Sequence, residues 1–224
     1  MIKYRSAYNT NRDIVCIDSL SKESRKREDK YICISCEKEL IPKLGKIRIK
    51  HFSHKKEVLC SSETYLHKLG KLMFYNEYSK CKRENNPFNI ELEQKIFCNN
   101  REKEFKKVCY IDKKSVTINL LDYFPLIKME KRIGLYIPDL LLSDYNGNIN
   151  LFFEIVVTHR SSESKINSSN KIIELWIEEE KDLEVIYKHC FSFNEPKIKF
   201  INFKINDNIG DHCGNVCKIN YHYF

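Results

Sequence analysis

Two acids stand out because of the residues around them. Asp139 follows Pro138 at the head of an apolar run, Leu140-Leu-Leu142, and Glu154 lies inside another, among Phe152, Phe153, Ile155, Val156 and Val157. A carboxylate in such a run is costly to bury without a partner. Two of them on neighbouring strands repel unless a cation sits between them. Oxygen ligands brought together in this way suit a shared divalent metal. The plainer alternative is an ion pair from Glu154 to Arg132 or Arg160, since structural pairs also perturb carboxylates. A second set is Cys33-x-x-Cys36, then His51 and His54, then Cys60. Two thiolates two residues apart, with a His and a Cys some way downstream, can complete a tetrahedral nitrogen/sulfur shell for Zn2+. The spacing favours Cys33, Cys36, His54 and Cys60, because His54 and Cys60 make a second, looped knuckle. His51 and His54 point to opposite faces if the segment is extended.

The elements that must position these residues follow from the same text. Residues 136–144 and 149–157 read as two apolar strands joined at Asn146-Gly147, a strong hairpin signal. Ser61-Ser62 caps a helix running to about Cys81. In that helix Glu63, His67 and Lys71 recur every four residues and share one face, while Leu66, Leu69, Met73 and Phe74 form the apolar one. Glu63, His67 and Lys71 are either a solvated stripe or a row aimed at the acids, with Lys71 nearer the rim. Residues 89–97 alternate as a strand, and 108–123 read as a pair of strands broken near Lys113-Lys114. A polar loop into a short helix is expected over 157–165, a strand over 171–177, a helix over 178–190 and a last strand over 197–204. Strand 13–17 lies near the start, and the charged run 21–30 reads as a solvated face or loop.

Pro138-Asp139, a turn and Glu154-x-Val156 resemble the PD-(D/E)xK nuclease motif, with Val156 in the place of its lysine. The wider text resembles the competence protein CoiA-like family more closely. That family carries a His-Phe-x-His segment, a helix with Glu-x-x-x-His-x-x-x-Lys, and then the two acidic strands. Here these are His51-Phe-Ser-His54, then Glu63, His67 and Lys71, then Asp139 and Glu154, over about residues 31–178. The resemblance implies a mixed α/β fold, a restriction-endonuclease-like αβββαβ core with a small zinc-ribbon-like subdomain before it. It divides the chain into a zinc-binding segment (1–60), a nuclease-like core (61–205) and a Cys/His tail (206–224). It also implies a divalent-metal-dependent nuclease that hydrolyses phosphodiester bonds of nucleic acid, DNA foremost, in DNA processing, competence or defence against foreign DNA. Mg2+ or Mn2+ would be held by Asp139, Glu154 and the Ile155 carbonyl, with Glu63 completing the shell or holding a second metal. His67 and Lys165 join the three acids as catalytic residues. A basic group must replace the missing lysine, and Lys165, Lys71, His67 and His159 are available. The competing expectation is a catalytically degenerate module on the same core that binds nucleic acid or a protein partner.

The chain's 224 residues, 42% hydrophobic and 31% charged, suit a globular fold with a real core. Its 39 Lys and Arg exceed its 31 Asp and Glu, for a net charge of +8. That balance permits a polyanionic partner. No apolar run approaches the ~20 residues needed to span a membrane, and no signal-peptide core follows Met1-Ile-Lys-Tyr-Arg-Ser, so a cytoplasmic location is expected. Ten cysteines in such a chain point to metal sites before disulfides. A second zinc site is a further expectation. It would be built from Cys213, Cys217 and His212 with Cys98 and Cys109, or with His189 and Cys190.

Overall fold

The computed structural model describes residues 4–22, 29–45, 49–100, 102–159 and 161–212. Three sheets and one long helix carry the fold. The first sheet takes β1 (Ser6–Tyr8), β2 (Ile14–Cys16), β3 (Tyr31–Ile32), β4 (Glu39–Lys43) and β5 (His51–His54), in the spatial order β2-β1-β3-β4-β5. β1 had no counterpart in the sequence reading.

The long helix α1 (Ser62–Glu84) starts where its cap places it. Ser61 is extended, and its side chain accepts from Thr64 N–H at 3.3 Å. The helix ends on Asn85 in the left-handed region, a position asparagine tolerates. Tyr65, Leu66, Leu69, Phe74 and Tyr78 form its buried stripe.

A hairpin follows, β6 (Asn89–Cys98) and β7 (Cys109–Asn119), with the single turn α2 (Glu102–Phe105) at its tip. The expected break near Lys113-Lys114 does not occur. The two lysines stay in the ladder opposite Lys95 and Gln94, and the one irregularity falls at Ile96/Phe97. Most of β7 is exposed, so no alternation of burial marks its course.

After the short helix α3 (Leu120–Tyr123) comes the central sheet: β8 (Leu126–Met129), β9 (Leu140–Ser143), β10 (Asn150–Val156), the one-turn α4 (Glu163–Ile166) and β11 (Lys171–Trp176). Spatially the order is β13-β11-β10-β9-β8, with β13 (Ile198–Ile201) at one edge. β8, β9 and β10 pair antiparallel, whereas β10 and β11 are parallel across the α4 crossover. The turn between β9 and β10 is the one expected, with Gly147 at φ +73°, a conformation that costs glycine little. Residues 180–188 are 3₁₀ turns rather than the expected α-helix. β12 (Cys190–Ser192) and β14 (Asn208–Gly210) both run parallel to β6, at its two ends.

α1 covers one face of the central sheet. Phe74 stacks on Phe153 with centroids 3.7 Å apart, and Phe88 and Phe191 extend the aromatic cluster. Helix and sheet approach closely at Gly70, where a Cβ would stand 3.0 Å from Ile177 and 3.1 Å from Ile155. Phe152, Ile172, Leu141 and Ile201 form a smaller cluster on the opposite face, with Ile166 of α4 packed against it. One buried cluster runs from Tyr4, Ala7 and Phe52 of the first sheet through α1 into β9–β11. Among the described residues, no helix is long and apolar enough to cross a membrane.

Candidate metal centre and acidic site

The zinc ligands inferred from spacing converge. Cys33 and Cys36 flank the turn between β3 and β4, His54 ends β5, and Cys60 precedes the α1 cap. Their ligand atoms all lie within 4.8 Å of one another. Cys33 Sγ and Cys60 Sγ are 3.8 Å apart, and Cys36 Sγ and His54 Nε2 3.1 Å. Two sulfurs each ~2.3 Å from a tetrahedral ion would be about 3.8 Å apart, so the first pair already has the separation that zinc imposes. Burial lowers the His54 pKa, which favours the neutral imidazole that ligates. Burial pushes the Cys33 thiol up to about 12. At Cys60 burial acts the same way, but hydrogen bonds from Tyr4 and the neighbouring thiols outweigh it and lower the pKa. The donor set, three thiols and an imidazole, fits zinc. His51 is not in that group, and its Nδ1–H donates to the Ile49 carbonyl at 2.9 Å.

The acids come together where the central sheet meets α1. Continuing the β9–β10 register past Leu140 and Phe153 sets Asp139 opposite Glu154. Ile155 N–H donates to Asp139 Oδ2 at 2.8 Å. From α1, His67 Nε2 stands 3.0 Å from the same oxygen, and Lys71 Nζ lies 3.9 Å from Oδ1. Lys71 also pairs with Glu130 and is buried, so it is not at the rim of the site as expected. Glu154 is 7% exposed. Burial raises its pKa, the neighbouring Asp139 adds to the rise, the Lys165 ammonium opposes it, and the result is about 7. Lys165 Nζ donates to Glu154 Oε1 at 2.8 Å. Among the described residues that lysine, on α4, is the cation Glu154 pairs with, and Arg132 is exposed; Arg160, the other arginine considered above, lies outside the described residues.

Glu63 reaches the same end of the sheet, yet its carboxylate accepts from Thr158 Oγ1, just beyond β10. Among the described residues the Cys33, Cys36, His54 and Cys60 quartet is the group of His, Cys, Asp and Glu close enough to hold a metal, and Glu63, Asp139 and Glu154 do not form another. His159 lies in the same loop and is exposed. One acid escaped the sequence reading. Glu174, in β11, is the register partner of Glu154 and is fully buried. The signal that marked Glu154, an acid inside an apolar run, is equally present in Ile172-Ile-Glu-Leu-Trp176.

Of the residues expected in a second zinc site, Cys98 and Cys109 are register partners in the β6–β7 hairpin. His189 stands 3.0 Å from Glu77 Oε2, and Cys190 begins β12. Cys213 and Cys217 lie outside the described residues.

Residues 17–63 match the family described as competence protein CoiA, N-terminal domain. The match takes in all four residues of the Cys33, Cys36, His54 and Cys60 quartet and ends at the first turn of α1. It supports a CoiA relationship for that segment and leaves the acidic site outside it. No curated protein and no solved structure matches the chain.

Proposed function

We propose that the chain is a divalent-cation-dependent nuclease that hydrolyses phosphodiester bonds of DNA in the cytoplasm, with a structural zinc at its N-terminal sheet. The observation that carries this reading is the Lys165–Glu154 bond beside Asp139. It assembles two acids and an ammonium although the motif position holds Val156. With the β6–β7 hairpin, α2 and α3 taken as an insertion after α1, the order α1, β8–β9–β10, α4, β11 is that of a restriction-endonuclease-like core and supports the reading too. Net charge of +8 suits a phosphate backbone.

The donor set fits a hard cation: two carboxylates opposite each other, one with a pKa raised to about 7 by burial and by its neighbour. Asp139, Glu154 and the Ile155 carbonyl are the proposed ligands of Mg2+ or Mn2+. That ion supplies an activated water and charge neutralisation at phosphorus. Lys165, held by Glu154, takes over the task of the motif lysine, orienting the water and countering charge on the phosphate. His67 and Lys71 fix Asp139 from α1. Water adds to phosphorus and one P–O bond breaks.

Asp139→Ala and Glu154→Ala should each abolish Mg2+- or Mn2+-dependent cleavage of single- and double-stranded DNA while the far-UV circular dichroism is retained. Near-native cleavage by either variant would show the site to be wrongly assigned. The second reading is a module of the same fold that binds nucleic acid or a protein without cutting. It draws on Val156 and on the saturation of both acids by His67, Lys71 and Lys165. Metal-independent DNA binding with no cleavage would select it.

A further inference from the structure

Glu174 is an acid with no solvent to face. It is fully buried in β11, and the parallel register sets it beside Glu154, where paired residues share one face of the sheet. Its Oε1 accepts from Ser161 N–H at 3.1 Å, in the loop that leads to Lys165. Its Oε2 is buried with no hydrogen-bond partner. On the other side its register partner is Lys199 of the edge strand β13, which is exposed to solvent. Buried polar groups are nearly always satisfied, and an unsatisfied one points to an ion or water in that place. Two buried acids side by side add a charge reason for the ion.

We propose that Glu174 is a third carboxylate of the acidic site and shares with Glu154 a divalent cation, bound through Glu174 Oε2 beside Lys165. The proposal rests on the divalent-cation reading and changes its ligand set to the Glu154–Glu174 pair, since Asp139, Glu154 and Glu174 do not form a group close enough to hold one ion together. Glu63 spends its carboxylate on Thr158. Lys165 uses one Glu154 oxygen, Oε1. Register partners on adjacent strands hold their side chains side by side on one face, the arrangement in which a carboxylate from each strand can bind one ion. The ammonium of Lys165 then lies next to the ion and opposes its binding.

The test is a titration of the zinc-loaded full chain with Mn2+ alone, free ion being read by electron paramagnetic resonance. Glu174→Gln keeps an oxygen for Ser161 and loses the charge. It should weaken Mn2+ binding about tenfold, as loss of one charged ligand does. Lys165→Met should tighten binding, because it removes the neighbouring cation, and adding Glu174→Gln should cancel that gain. Unchanged affinity in Glu174→Gln overturns the proposal. If Glu154→Gln loses Mn2+ in the same titration, the cation reading stands without Glu174. A wild-type chain that takes up no Mn2+ overturns both. Should Glu174→Gln fail to fold, Lys165→Met decides alone, and no tightening overturns the proposal.

Discussion

Val156 is buried at 2% exposure, two residues after Glu154, where a lysine would project in the motif it resembles. An ammonium there would have to be desolvated. Lys165 avoids that cost. It approaches Glu154 from α4, whose first turn is capped by Ser162, and its side chain is 15% exposed. If it does the work of the motif lysine, Lys165→Ala should lower single-turnover cleavage about a hundredfold, the scale expected for one preorganised charge at a developing anion. Cleavage by Lys165→Ala at the wild-type rate would remove Lys165 from the chemistry. The zinc ligands could be read from spacing because each knuckle is local in sequence. Asp139 and Glu154 could be read because one tight turn fixes their register. Lys165 was picked out as catalytic through the family resemblance, from four basic groups that could replace the lysine, since nothing local says which way α4 turns. Glu174 carried the same mark as Glu154 but came without a motif around it.

At the scale of elements, α1 positions half of the site, and two contacts hold it. The first is Gly70 against Ile155 and Ile177, both buried. Gly70→Ala gains roughly 1 kcal/mol of helix propensity. Against that, the new methyl must displace two confined side chains, and overpacking of this kind costs about 1–3 kcal/mol. The net effect should be a lower melting temperature, with cleavage reduced because His67 and Lys71 move with the helix. A more stable Gly70→Ala protein would show that the packing is loose. The second contact ties β1 to α1 and to the 3₁₀ turns. Glu180 Oε1 accepts from Arg5 N–H at 2.6 Å and stands 2.9 Å from the Tyr65 hydroxyl. Burial raises the Glu180 pKa in spite of these bonds. A raised carboxyl pKa gives stability that is complete below the unfolded-state value and is lost as pH rises through the folded-state value. The melting temperature of wild type minus that of Glu180→Gln should therefore fall from acid to neutral pH, and a rising difference would reverse the sign of the shift. α1 itself was legible from its cap and its four-residue repeat. Residues 180–188 were not, because Leu183 and Ile186, the buried pair, are three apart and suit a 3₁₀ turn as well as an α-helix. β7 was misread because its exposure follows no period.

For the whole molecule, the question is how a zinc site in one sheet bears on an acidic site in another. The chain runs from Cys60 straight into the Ser61 cap, so the fourth ligand fixes where α1 starts. His67 and Lys71 then reach Asp139 from successive turns, about 5.4 Å apart along the axis. The first sheet and the central sheet also share one buried cluster through Tyr4, Tyr65 and Leu69. Structural zinc supplies folding free energy directly, and an ion held by Cys33, Cys36, His54 and Cys60 would deliver that energy at the joint between the two sheets. Chelation should lower the melting temperature and open residues 4–60 to protease before the central sheet melts, because β8–β11 have their own ladder and aromatic core. Cleavage should fall in that same first stage, as α1 loses its fixed start and Asp139 loses His67. Cys60→Ser should reproduce the loss with zinc present, and elemental analysis should find zinc in wild type and a deficit in the variant. Wild-type protein that is fully folded without metal would refute the structural zinc. A Cys60→Ser protein that lacks zinc yet cleaves at full rate would leave the zinc in place and break its coupling to the acids.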